Sequence, residues 1–230
     1  MSNIISLFPI KVYKTSYDLD KTADLKNHVY DNLTFWERVE DNNPEFIRGG
    51  NLCSYQHEPA VHDLFPKETE HFLNFANECA KEYWKELDYF DGLEPYVLDM
   101  WANFTPKHGW INSHLHISMP LNAVLYLDAT PEQGNIVLEN PNDQLLATQP
   151  INYRETFQFE QELEVNTGDF IIFPGFIKHK VRKNMSDRPR MVLGLNFGAK
   201  GFYWANQWVT KPEGDMLAAK QYIQAQKRES

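Results

Sequence analysis

Three histidines and one arginine carry the clearest chemistry in this sequence. His114 and His116 stand two residues apart. In an extended strand, residues i and i+2 face the same side, so both imidazoles can address one ion. Far downstream, Gly168-Asp169 opens a β-prone run that stops at Pro174, and His179 opens the run after it. Two ligands from an early strand and one from a late strand suit a metal site with open positions. Each piece is weak alone. The chain has 8 histidines, so one His-x-His pair arises easily by chance, and His179 between Lys178 and Lys180 also reads as a surface residue.

The fourth residue is Arg190, at the head of the run RMVLGLNF. Read with period two, Met191, Leu193, Leu195 and Phe197 form one apolar face, and Arg190, Val192, Gly194 and Asn196 form the other. A cation at one end, small residues in the middle and an amide at the far end describe the floor of a polar cavity. A planar guanidinium binds a carboxylate through two parallel hydrogen bonds. Arg188 competes for that role across Pro189, and a solvated surface arginine is the plain alternative. Arg190 is favoured because it lies within the strand, in phase with the small residues.

Elements must hold these residues in place. From Tyr96 onward, YVLDMWANF, MPLNAVLYLD, GNIVLEN, GDFIIFP, HKVRK and RMVLGLNF are short β-prone runs separated by turn residues. That texture predicts a sandwich or barrel. Upstream, Asp18 or Asp20 can cap a helix to about Asn32, with Leu25, Val29 and Leu33 on one face. A longer helix is expected from about Pro66 to Leu87, where Phe72, Phe75, Ala76, Cys79, Ala80, Tyr83 and Trp84 recur at helical spacing. Residues 4–13, with Pro9 inside, read as an edge strand or extended arm, and 41–60 as loop.

The expected fold class is therefore mainly β with flanking α: a double-stranded β-helix (jelly-roll) core preceded by a helical layer. It forms one domain over 1–230, with strand and helices in 1–95, the β core in 96–200 and a C-terminal extension in 201–230.

Composition narrows the function. Hydrophobic residues make up 42% of the 230 residues, enough for a real core, and aromatics reach 14%, which suits β packing around a lined pocket. The 22 basic and 32 acidic residues give a net charge of −10, which argues against phosphate-backbone binding to nucleic acid. Cys53 and Cys79 lack metal-ligand spacing and read as idle thiols of a reducing compartment. The N-terminus shows no signal pattern and no stretch approaches a membrane span, so a cytoplasmic location is expected.

The order His-x-His, His, then Arg on the next strand resembles the Fe(II)/2-oxoglutarate oxygenase superfamily. Within it, the chain is similar to a phage and bacterial group whose members open with an LFP segment, here Leu7-Phe8-Pro9. Further matches are Trp101-Ala-Asn103, Gly109 to His116, Ala123 to Leu127, Gly134 with Glu139-Asn-Pro141, Phe173-Pro174 to His179, and Arg190 to Asn196. The ordered set is specific; its single motifs are not.

The resemblance implies Fe(II) and 2-oxoglutarate as cofactors, with His114 and His179 as iron ligands and Arg190 on the distal carboxylate. Tyr126, in phase with His114 if one strand runs through both, would add a hydrogen bond to the co-substrate. Asn196 and Asn103 would line the pocket or satisfy strand-end backbone groups. Trp101, Trp110 and Phe104 are candidates for the pocket wall or for plain core. One departure stands out: the superfamily's usual Asp or Glu two residues after the first histidine is replaced by His116. Either His116 is a third neutral ligand, or it points away and leaves two.

The implied activity is hydroxylation of a small-molecule or peptide substrate, with release of succinate and CO2, by a soluble enzyme that can form a homodimer. Two other readings stay open. A cupin-type three-histidine enzyme would need no 2-oxoglutarate, but Pro120 and Leu121 stand near where its glutamate belongs. A jelly-roll can also serve as a non-catalytic binding or structural module.

Overall fold

The computed structural model describes residues 10–32, 47–48, 51–54, 60–89, 93–116, 119–142 and 159–200. The LFP segment, Leu33 and the extension from 201 lie outside the described residues.

The chain opens with β1 (Tyr13–Ser16) and α1 (Leu19–Asp31). Asp18 caps α1 by accepting from the Lys21 backbone N–H at 2.9 Å. Strands β2 (Ile47–Arg48) and β3 (Leu52–Cys53) and the single turn α2 (Val61–Leu64) follow. The long helix α3 (Pro66–Glu86) starts on a proline whose missing N–H is no loss in a first turn. The β core comprises β4 (Pro95–Thr105), β5 (Trp110–His114), β6 (Leu121–Asp128), β7 (Ile136–Glu139), β8 (Glu160–Leu163), β9 (Asp169–Pro174), β10 (His179–Val181) and β11 (Arg190–Ala199).

These strands form two antiparallel sheets. One has six strands in the order β1-β9-β6-β11-β4-β3, and the other has five in the order β2-β5-β10-β7-β8. This is the jelly-roll expected from the spacing of the β-prone runs. Two expectations need correction. The segment 41–60 is not loop throughout, because β2 and β3 pair onto β5 and β4 at the sheet edges. Tertiary pairing there overrides the local breakers. The first strand is Tyr13–Ser16, paired with β9, and residues 10–12 precede it without forming strand.

Two cores result. One face of the six-stranded sheet packs Met100, Leu121, Leu125, Phe170, Leu193, Leu195 and Phe197 against Leu25 and Val29 of α1 and Phe72, Ala76, Ala80 and Tyr83 of α3. Its other face meets the five-stranded sheet through Tyr126, Ile136, Leu138, Ile171, Phe173 and Val192. The helix layer thus covers one side of the sheet and leaves the inter-sheet space to the candidate site. Cys53 and Cys79 are buried on β3 and α3, and no disulfide joins them. Among the described residues, no helix is long and apolar enough to cross a membrane.

Candidate functional site

Strand β11 organises the site. Met191, Leu193, Leu195 and Phe197 enter the helix-side core, while Val192 enters the inter-sheet core. Alternation therefore turns Arg190, Val192, Gly194 and Asn196 into the space between the sheets.

His114 ends β5 and His179 begins β10, and the two are direct partners in the antiparallel register. Their ring centroids are 4.2 Å apart. Lys180 turns the opposite way, into ion pairs with Glu139 at 3.7 Å and with Glu160, which leaves His179 facing inward.

His116 arrives differently from the sequence expectation. It lies two residues past the end of β5, so strand alternation does not aim it. Instead its Nδ1–H donates to Asn196 Oδ1 at 2.8 Å. Its ring stacks on Trp101 at 5.6 Å and 23°. Its centroid sits 5.3 Å from those of both His114 and His179. One ligand atom from each of the three rings lies within 4.8 Å of the others. That convergence is not what a non-catalytic module requires. Among the described residues the cluster holds no carboxylate.

The electrostatics suit a cation. Burial lowers the pKa of all three imidazoles: His116 falls to about 4, His179 well below its usual value, and His114 in the same direction. Each Nδ1 also meets an oxygen: Asn112 O at 2.8 Å for His114, Asn196 Oδ1 for His116, and Ile177 O at 3.2 Å for His179. Those acceptors place the proton on Nδ1 and make Nε2 the lone-pair nitrogen of each neutral ring. Three neutral imidazoles with a nitrogen each within 4.8 Å of the others fit a divalent transition metal.

Arg190 is 1% exposed. Its Nη1 donates to Gly134 O at 2.7 Å and its Nη2 to Thr105 Oγ1 at 3.3 Å. Its Nε has no partner, and among the described residues Arg190 makes no ion pair. Burial pushes its pKa down to about 10, opposed by the nearby Tyr126. A buried guanidinium without a counter-ion is costly, and a bound carboxylate would relieve that cost. Arg188 is already committed to Asp128 near the surface. Only a glycine fits where the chain turns to present the Gly134 carbonyl. At its φ of +96° a Cβ would lie 2.2 Å from the Arg182 carbonyl oxygen.

The remaining candidates divide. Tyr126 is buried opposite Val192 and close enough to Arg190 to feel its charge, and burial raises its pKa. It shares no strand phase with His114, because β5 and β6 are separate strands in different sheets. Asn103 is half-buried opposite Val192 on β4. Trp101 covers Gly194, where a Cβ would stand 2.4 Å from its ring, so the glycine makes room for indole. Phe104 packs with the helix-side core instead. Trp110 stands at the far end of β5 from His114, donating to Asn112 Oδ1 at 2.9 Å with the Lys183 ammonium 5.1 Å from its ring.

Gly134 stood among the matched residues, but its role, like those of Thr105 and Asn122, escaped the sequence reading. Thr105 and the Gly134 carbonyl hold Arg190, and no local signal marks them. Asn122 is buried with both amide atoms unpartnered. Its position four residues before Tyr126, on the same strand face, was a usable signal.

Fold and site together give a double-stranded β-helix with three converging imidazoles that could hold a metal ion between its sheets. A family model described as "Putative 2OG-Fe(II) oxygenase" matches residues 99–196, the stretch that contains all three histidines, Tyr126, Arg190 and Asn196. Among solved structures, HygX from Streptomyces hygroscopicus with nickel, 2-oxoglutarate and hygromycin B bound is 13% identical, with TM-score 0.56 over 82% of this chain and 83% of that one. EctD from S. alaskensis with 2-oxoglutarate and 5-hydroxyectoine is 14% identical, with TM-score 0.53 over 82% and 72%. An oxidoreductase of the 2OG-Fe(II) oxygenase family from Burkholderia pseudomallei is 16% identical, with TM-score 0.42 over 57% of this chain and 58% of that one. For HygX and EctD, at these identities, the likeness is one of fold. No curated protein matches the chain in sequence. The family model thus matches the part of the chain that carries the candidate site, on a fold shared with structures that hold 2-oxoglutarate.

Proposed function

We propose that the protein hydroxylates a small-molecule or peptide substrate, with His114, His116 and His179 as the iron ligands and Arg190 as the anchor of 2-oxoglutarate. The observation that carries this reading is a buried guanidinium without an anion among the described residues, sharing the inter-sheet face with an amide that holds one of three converging imidazoles. When bound, Fe(II) with 2-oxoglutarate supplies oxidation of a C–H bond by dioxygen, with succinate and CO2 as co-products.

The chain's own residues bind, orient and shield. Asn112 O, Asn196 Oδ1 and Ile177 O fix the tautomer and orientation of the imidazoles. Arg190, braced by Gly134 O and Thr105, holds a carboxylate in a fixed direction. Tyr126 donates its phenolic proton to the same carboxylate, its hydroxyl kept neutral by burial. Trp101 walls the site beside His116 and excludes water. Three neutral ligands leave the ion its full double charge, which favours an anionic co-substrate.

The deciding experiment is anaerobic addition of Fe(II) and 2-oxoglutarate, read as the visible charge-transfer band. The wild type should form the band. Arg190→Ala should need roughly 10–100-fold more 2-oxoglutarate, the equivalent of losing one charge-assisted contact. His116→Ala should lose iron affinity. Iron binding without a band would point to a cupin-type centre, and no iron binding would sink the assignment.

A further inference from the structure

Asn122 is 2% exposed, yet among the described residues neither its Oδ1 nor its Nδ2 has a hydrogen-bond partner. A buried amide with both ends unmet is rare in a folded chain and destabilises it. The neighbours of Asn122 on β6, Leu121 and Ala123, enter the helix-side core, so Asn122 faces the inter-sheet space with Tyr126.

Its register locates it further. On one side it pairs with Asn196, whose Oδ1 accepts from His116. On the other it pairs with Phe173, whose ring lies 4.8 Å from that of His179. Directly opposed side chains in an antiparallel pair stand about 5 Å apart. Asn122 is therefore flanked by two residues that touch the imidazoles of His116 and His179.

A second unmet group shares the sheet face. Arg190 Nε is also without a partner among the described residues, at the opposite end of the inward face of β11. Val192 and Gly194 separate the two ends. One face with an unmet cation at one end and an unmet amide at the other matches a ligand that is polar at both ends and plain between.

We propose that Asn122 is a co-substrate-binding residue: its Nδ2–H donates to the metal-side carboxylate of 2-oxoglutarate, while Arg190 takes the distal one. This rests on the reading of the site given above. It makes Asn122 an orienting group, setting how the keto acid lies against the ion, and leaves metal capture to the histidines.

The test compares wild type with Asn122→Leu and Asn122→Asp. Co(II) binding without co-substrate should change less than about twofold in Asn122→Leu. The 2-oxoglutarate concentration that half-saturates the anaerobic Fe(II) band should rise about tenfold in Asn122→Leu, for one lost hydrogen bond. It should rise further in Asn122→Asp, where like charges face each other. The ligand-free Asn122→Leu protein should melt at the same temperature as wild type or a few degrees (~3 °C) higher, since an unmet amide is replaced by a shape-matched apolar group.

Wild-type half-saturation in Asn122→Leu, or a lowered melting temperature, would overturn the assignment and make Asn122 a structural amide satisfied by buried water. If neither variant folds, the wild-type Zn(II) form decides: the Asn122 side-chain amide signals should shift on adding 2-oxoglutarate, and unmoved signals overturn the proposal. Failure of the wild type to form any band overturns the keto-acid reading and this inference together. A normal wild-type band with an unaffected Asn122→Leu variant overturns this inference alone.

Discussion

Asn196 shows how one side chain can hold a candidate ligand in place. His116 lies beyond its strand and donates a hydrogen bond to Asn196 Oδ1. Replacing Asn196 by Leu removes that acceptor and frees the imidazole to take the other tautomer. Partners of this kind are worth 10–100-fold in metal affinity, so Asn196→Leu should weaken Ni(II) binding by about that factor in a calorimetric titration. Asn196→Asp, which restores an acceptor, should recover most of it. Equal affinities in all three proteins would mean that contacts other than the Asn196 amide, the Trp101 stack among them, position His116. The sequence made Asn196 visible as the polar end of an alternating strand. It did not show that the amide serves a histidine eighty residues upstream, because no local period links a strand to the coil beyond another strand.

At the level of elements, β11 and β4 make the floor of the site, and their register is tight at Gly194. Trp101 lies directly across, with its indole over the glycine. Gly194→Ala would drive a methyl into that ring and displace a side chain that stacks on His116. The expected loss is about 1–3 kcal/mol in urea unfolding, with a shifted charge-transfer band as the second readout. By contrast, Phe72→Ala in α3 empties the helix-side core, where Phe72 is fully buried and meets Phe170 edge-on at 5.5 Å. It should lose about 3–5 kcal/mol while leaving the band position unchanged.

The alternation of RMVLGLNF and the helical spacing of α3 made these elements readable from sequence, because each buries one face. The two-residue strands β2 and β3 were not readable. They exist through pairing to neighbours, and nothing in their own residues announces it. The same limit explains Tyr126: its inward face was foreseeable, but its sheet was not, since a turn between β5 and β6 moves the chain from one sheet to the other.

For the whole molecule, the buried imidazoles couple stability to pH. Their pKa values are depressed in the folded chain, His116 to about 4 against an ordinary 6.5. Between those values the unfolded chain binds more protons than the folded one, so stability rises with pH. The contribution is complete above about pH 6.5 and fades as pH falls toward about 4. Metal-free protein should therefore need less urea to unfold at pH 5 than at pH 7.5, and a triple alanine variant of the histidines should lose most of that slope. A slope unchanged in the variant would assign the pH response to surface carboxylates. The net charge of −10 and the ion pairs of Lys180 and Arg182 with Glu160 and Glu162 on the outer face act in the same solvent, but screening keeps such exposed pairs small.

The pairing of His114 with His179 has one more consequence. The two residues are immediate neighbours across β5 and β10, yet a long stretch of chain, including β6, β7 and β9, runs between them. An ion gripped by both closes that stretch into a loop, much as a clasp closes a chain. Opening the sandwich then requires the clasp to release first. Occupancy of the centre should slow the escape from the native state more than it speeds the return, and protect the intervening strands from proteolysis.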